Sequence, residues 1–177
     1  VGNPEIHMRG YYQSLKGGEI MDVSKGRLYL FKERVPLRTH QVVRKELSQG
    51  RKALYISKNA PELLRTQLTF DNGVLDTRWL SPRVEAACIP PMNLKVFENA
   101  IIDFLSDNQG GIVVLNGLDV LEKWNGWRPV LEVLRRTEEY IEDHGGNVII
   151  SLDPKSHYDM KLRKLEGISD EVVSSCS

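Results

Sequence analysis

Cysteine is nearly missing: Cys88 and Cys176 are the two in 177 residues, far apart and in dissimilar surroundings. That argues against a disulfide framework and against the paired spacings of a zinc site, and it suits a reducing, cytoplasmic setting. No run of about 18 apolar residues occurs, so no segment reads as membrane-spanning, and the first residues lack the basic-then-apolar order of a secretion signal. Charge of one sign is absent as well. The 24 Lys and Arg balance the 24 Asp and Glu, which argues against a generally basic nucleic-acid binder. The four histidines, His7, His40, His144 and His157, share no ligand spacing and no clustered cysteine or carboxylate, so neither metal nor cofactor is expected. No G-x-S-x-G turn presents a nucleophile.

What is present is an alternation of apolar runs with amphipathic segments. GRLYLF from Gly26 reads as a strand. It is followed by a helix with Pro36 in its first turn, Val42, Val43 and Leu47 on one face, and Gly50 at its end. ALYIS at Ala53 to Ser57 and the helix begun by Asn59 and Pro61 repeat the unit. Asp71-Asn72-Gly73 is a turn signal, and TRWLS and VEAACI read as short strands broken at Pro82. Asn93 caps a helix whose Leu94, Phe97, Ile101 and Leu105 recur at steps of three and four. GIVVLNG and NVIISLDP are continuous in their apolar residues, as strands covered on both faces are. Between them, Trp124 to Trp127 read as a loop and Pro129 as a helix start; His157 to Glu166 read as a short last helix. The expectation is an α/β fold: a mostly parallel sheet with helices on both faces, in three layers. Residues 24–168 form its single domain. Residues 1–23 read as an extension, flexible or partly foreign to the domain, of a fragment cut from a longer protein. Residues 169–177 read as a flexible tail.

The landmarks YL in the first strand, WLS at Trp79 to Ser81, Pro91-x-Asn93-Leu94, GIVVLNGLDVL, NGW and NVIISLDP together resemble an archaeal family known as a domain of unknown function, number eight hundred and thirty-five. The resemblance covers about Lys25 to Glu166. It implies a signalling or scaffolding module, often appended to membrane or sensory segments, and supplies no activity. In that family the central strand usually ends in Asp-Gly with a Glu soon after, whereas this chain has Asn116-Gly117 and Asp119. The order of elements also resembles, more distantly, the KaiC-like branch of RecA-fold ATPases, here in a degenerate form without the phosphate-binding loop.

A phosphate-binding loop needs glycines that let backbone N–H groups wrap the phosphate, a lysine, and a Ser or Thr on magnesium. After GRLYLF this chain offers KERVPLRTH, which contains no glycine. Lys32, Arg34 and Arg38 are candidate anion contacts at the helix start. An ATPase also needs a carboxylate at the end of its central strand, where Asn116 stands, with Asp119 nearby. Open α/β sheets bind ligands at strand carboxyl ends, which makes Ser57, Asn116 and Asp153 further candidates; an Asp before Pro also serves as a turn cap. Trp124, Asn125 and Trp127 are interface candidates, since tryptophan is enriched among binding hot spots. Trp79 and Cys88 are expected in the core.

Catalysis is not expected. The reading is a non-catalytic protein-interaction or signalling module with a protein partner or self-association, no specific nucleic acid and no membrane insertion. The alternative is a sensor that binds a nucleotide or other phosphate metabolite without hydrolysing it. Binding of nucleic acid through Arg44, Lys45, Arg51 and Lys52 is the weakest option.

Overall fold

In a computed structural model, residues 11–13, 20–68 and 74–174 are described; Asp71-Asn72-Gly73 and Cys176 fall outside them. Unbroken apolar runs build the middle of the sheet. β2 (Arg27–Lys32), β3 (Ala53–Ser57), β6 (Ile112–Asn116) and β7 (Asn147–Leu152) are buried along nearly their whole length, as strands covered by helices on both faces must be. Successive side chains point to opposite faces. Leu28, Leu30, Leu54, Ile56, Val113, Leu115, Val148 and Ile150 therefore share one core with α3 (Leu94–Asp107), α5 (Trp127–His144) and α6 (Asp159–Ile168). Tyr29, Phe31, Tyr55, Val114 and Ile149 face the other way, toward α1 (Leu37–Ser48) and α2 (Pro61–Leu68). The result is three layers. Each fully buried aliphatic or aromatic side chain contributes about 1.5–3 kcal/mol, so two such faces set the hold of the helices on the sheet.

β1 (Tyr11–Gln13), β4 (Leu75–Leu80), β5 (Cys88–Ile89) and β8 (Glu171–Ser174) complete an eight-stranded sheet in the order β1-β8-β2-β7-β6-β3-β4-β5. Every pairing among them is parallel. A parallel neighbour can be reached only by a crossover, so all segments that leave a strand start at one edge of the sheet, the carboxyl edge.

Several expectations change here. Residues 169–177 are not wholly a tail, because Glu171–Ser174 pairs with β2 as β8 and Val172 and Val173 are buried. The sheet also extends past residue 24, since Tyr11–Gln13 pairs with β8. Backbone pairing with a neighbouring strand stabilises strands too short to be recognised by their own pattern. VEAACI shrinks to Cys88–Ile89. The segment read as a loop around Trp124 is helical: α4 (Leu118–Asn125) ends there, Gly126 turns the chain at φ 81°, and α5 begins at Trp127. Trp79 and Cys88 are half-buried rather than core, because β4 and β5 lie at the sheet margin. Trp79 instead donates its Nε1–H to the Lys58 carbonyl at 3.3 Å and stacks under Arg83 at 5.0 Å.

At the amino edge Arg51 ties the layers together. Its guanidinium meets Glu46 Oε2 at 3.0 Å, donates from Nε and Nη2 to the Gly110 carbonyl at 2.9 and 2.6 Å, and reaches Asn147 Oδ1 at 2.8 Å. Lys45 pairs with Asp22. Two of the four cations considered for nucleic acid are therefore engaged within the fold.

Candidate functional site at the carboxyl edge

The turn from β2 into α1 occupies the place of a phosphate-binding loop, and its chemistry is reversed. Glu33, 5% exposed, follows β2 directly. Its amide donates to the Leu152 carbonyl at 2.9 Å, which fixes the turn against β7. The Glu33 carboxylate then folds over the start of α1: Oε1 accepts from the amides of Arg38 at 2.9 Å and Thr39 at 3.1 Å, and Oε2 lies 3.4 Å from the Thr39 amide. These are first-turn N–H groups with no partner inside the helix. Burial pushes the Glu33 carboxyl above its usual range, opposed by the amides of Thr39 and Arg38.

Beneath this turn lies a buried polar pair. His40 Nε2 is 2.7 Å from the Tyr55 hydroxyl, the two rings meeting edge to face. Burial, helped by Arg44, lowers the His40 pKa to about 4, so the ring is neutral at pH 7. Burial raises the Tyr55 pKa, countered by the Asn116 side chain hydrogen-bonding to the same hydroxyl and reinforced by the charge of Glu33.

The next group sits where β3, β6 and β7 end. Register places Ser57 beside Asn116. Ser57 is fully buried, and its Oγ accepts from the Asn59 amide at 3.0 Å, closing the turn into α2. Space is tight at Gly117. A Cβ there would stand 2.6 Å from Leu80 Cδ1 and 3.3 Å from the Lys58 nitrogen, so any larger residue must displace the Leu80 side chain for α4 to start this close to β3 and β4. Asp119 pairs with Lys58 Nζ at 3.1 Å. The His157 side chain is 1% exposed, with Nδ1 3.4 Å from Glu122 Oε2. Burial lowers its pKa, while Asp119 and Asp153 raise it and Lys58 lowers it further. Lys161 also pairs with Glu122.

Of the residues singled out in the sequence, Asp119 and Asp153 lie near enough for their charges to act on His157, and register sets Ser57 beside Asn116. It sends Arg34 and Arg38 elsewhere. Arg34 is exposed, and Arg38 donates from Nη1 to the Ser174 carbonyl at 3.3 Å, toward β8 and away from β6. Lys32 pairs with Glu166 at 2.7 Å. Asp153 does what Asp before Pro commonly does: its Oδ1 accepts from the Lys155 amide at 3.0 Å, capping the 3-10 turn Pro154–Ser156. Among the tryptophans, Trp124 is 52% exposed on α4, whereas Trp127 is half-buried and packs against the core. Asn125 donates to the Pro91 and Leu121 carbonyls at 2.7 and 2.8 Å, which anchors α4 over the end of β5. Glu33, His40, Tyr55, Lys58 and His157 were not singled out. Only Glu33 had a local signal, an acid just ahead of a helix start. No group of three or more His, Cys, Asp or Glu able to hold a metal occurs among the described residues, and no helix among them is long and apolar enough to cross a membrane.

Comparison with solved structures gives a KaiC-like protein from the hyperthermophilic archaeon Pyrococcus horikoshii. It is 16% identical, with a TM-score of 0.63 over 86% of this chain and 74% of that one. At that identity the similarity shows the fold alone, a RecA/KaiC-like α/β architecture. No curated protein matches. Residues 36–167 match the family described as "Protein of unknown function (DUF835)", and with most of its length so matched, the chain belongs to that family.

Proposed function

We propose that this chain is a non-catalytic protein-interaction or signalling module of the cytoplasm, in which a nucleotide-type sheet serves as scaffold. The observation that carries the reading is the Glu33 carboxylate seated on the Arg38 and Thr39 amides. In phosphate-binding turns such N–H groups are offered to the ligand's anionic oxygens. Here a tethered carboxylate uses them, and its negative charge opposes a phosphate approaching the same place. Further support comes from the end of β6, where magnesium would need a carboxylate. Asn116 is neutral, and Asp119 is paired with Lys58.

The test is a thermal-shift titration of the chain with ATP, ADP, GTP and cyclic nucleotides, with and without magnesium. A ligand at about 100 times its Kd adds about 2.7 kcal/mol to stability, about 5–10 °C in a domain of this size. The expected outcome is no such shift. A concentration-dependent shift lost on Lys58→Ala would refute the reading and favour a sensor of phosphate metabolites. Sedimentation of the chain alone reads self-association directly.

A further inference from the structure

Of the ten exposed large apolar side chains among the described residues, Ile20, Val35, Leu37, Leu63 and Val84 lie apart, whereas Tyr158 (78% exposed), Met160 (71%), Trp124 (52%), Met92 (43%) and Val96 (40%) all belong to segments at the carboxyl edge, on the α3–α6 side of the sheet. Specific contacts join those segments into one ridge. Lys161 at the start of α6 pairs with Glu122 of α4, and its ammonium lies 5.3 Å from the Tyr158 ring centroid and 5.8 Å from that of Trp127. Glu122 also meets His157. At the far end of α4, Asn125 holds the Pro91 carbonyl next to Met92. α4, with Trp124 exposed on it, therefore bridges the start of α6 to the start of α3. Soluble proteins rarely leave such a row of large apolar groups uncovered unless it binds something.

The charges on the ridge say what covers it. Lys123, Arg128 and Lys155 are exposed and form no salt bridge among the described residues. In the same segments the acids Asp119, Glu122 and Glu132 are already paired, Glu132 with Arg135, Asp153 is partly buried as a turn cap, and Asp159 is the exposed carboxylate that remains. An apolar row with surplus cations complements an acidic segment. Among the described residues the outermost strands are short, β1 with three residues and β5 with two, which gives an added strand little to pair with there. Methionine and valine also favour protein over nucleic acid, since adaptable thioethers suit apolar side-chain partners and aliphatic groups provide no stacking face for bases.

We infer that this ridge, formed by the starts of α3 and α6 and by α4, is the docking surface for an acidic protein segment carrying apolar anchors. The inference rests on the interaction-module reading and names its partner's chemistry. The experiment is a display selection of randomised helical peptides against the full chain, followed by anisotropy titration of the selected peptides against variants. Selected sequences should be rich in Asp and Glu interleaved with Leu, Phe or Met. The exposed pair Trp124→Ser with Met160→Ser should weaken binding by about ten-fold or more, as loss of central anchors does. Lys123→Glu with Arg128→Glu should weaken it most at low salt, and Leu37→Ser, on the opposite face of the sheet, should leave it unchanged. Selection of neutral or basic peptides, indifference to both ridge pairs, or no selected peptide at all overturns the inference. So does binding of a labelled single-stranded oligonucleotide that the same ridge variants abolish. The module reading itself falls on a different result, a nucleotide-dependent thermal shift.

Discussion

Removing the Glu33 carboxylate tests the reversed turn most directly. In Glu33→Ala the Arg38 and Thr39 amides lose their acceptor, and Thr39 is fully buried, so water cannot fully replace it. Losing a helix cap costs about 0.5–2 kcal/mol, and a buried unsatisfied amide about 1–3 kcal/mol. Relief of the carboxylate's own desolvation opposes both. The net expectation is a loss of about 1–2 kcal/mol, or roughly 2–8 °C in melting temperature for a domain of this length. Glu33→Gln keeps one oxygen acceptor and removes the charge, so it should lose about half as much or less. Burial holds the native carboxyl above its unfolded value of 4.5. The native state therefore binds the extra proton between the two values, and the wild type loses stability as pH rises through that window. Glu33→Gln cannot ionise, so it should gain on the wild type across the same rise. Urea unfolding of the three proteins at pH 4 and pH 7 measures all of this. Equal losses for Ala and Gln, or no loss for Ala, would refute the claim that this carboxylate caps α1.

Two further outcomes follow from buried groups. Arg51→Met leaves Glu46, 5% exposed, as a buried charge without its partner. It should cost about 3 kcal/mol in urea unfolding, and Glu46→Gln in the same chain should recover part of that loss. His40, held down to about 4 by burial, stays neutral in the native state while the unfolded chain takes up a proton below about 6.5. Its contribution to stability is therefore present above pH 6.5 and is lost as pH falls toward 4. Its imidazole resonances should not titrate by NMR between pH 7 and pH 5, and a midpoint near 6.5 would show that the ring is not enclosed against Tyr55.

How much of the site was legible in the sequence varies residue by residue. The missing glycines after β2 and the Asn at the end of β6 could be read directly, because phosphate chemistry demands particular residues at particular offsets. The role of Glu33 was half legible. It stands among Lys32, Arg34 and Arg38, and only the fold shows that the acid turns inward onto the helix while one arginine stays in solvent and another reaches β8. Trp124 and Trp127 are three residues apart and sequence-equivalent, yet a helix break at Gly126 exposes one and packs the other.

By itself, the sequence determined the layers. Short continuous apolar runs rich in β-branched residues and bounded by glycine or proline read as strands covered on both faces, and steps of three and four present one helix face to them. Tertiary structure alone decided the strand order, the short strands β1 and β8, and every pairing that makes up the carboxyl edge. Glu122 and Lys161 are 39 residues apart, and His40 and Tyr55 are 15 apart. Local pattern carries no record of such pairs, because they exist only once parallel crossovers bring the ends of distant strands to the same side of the sheet.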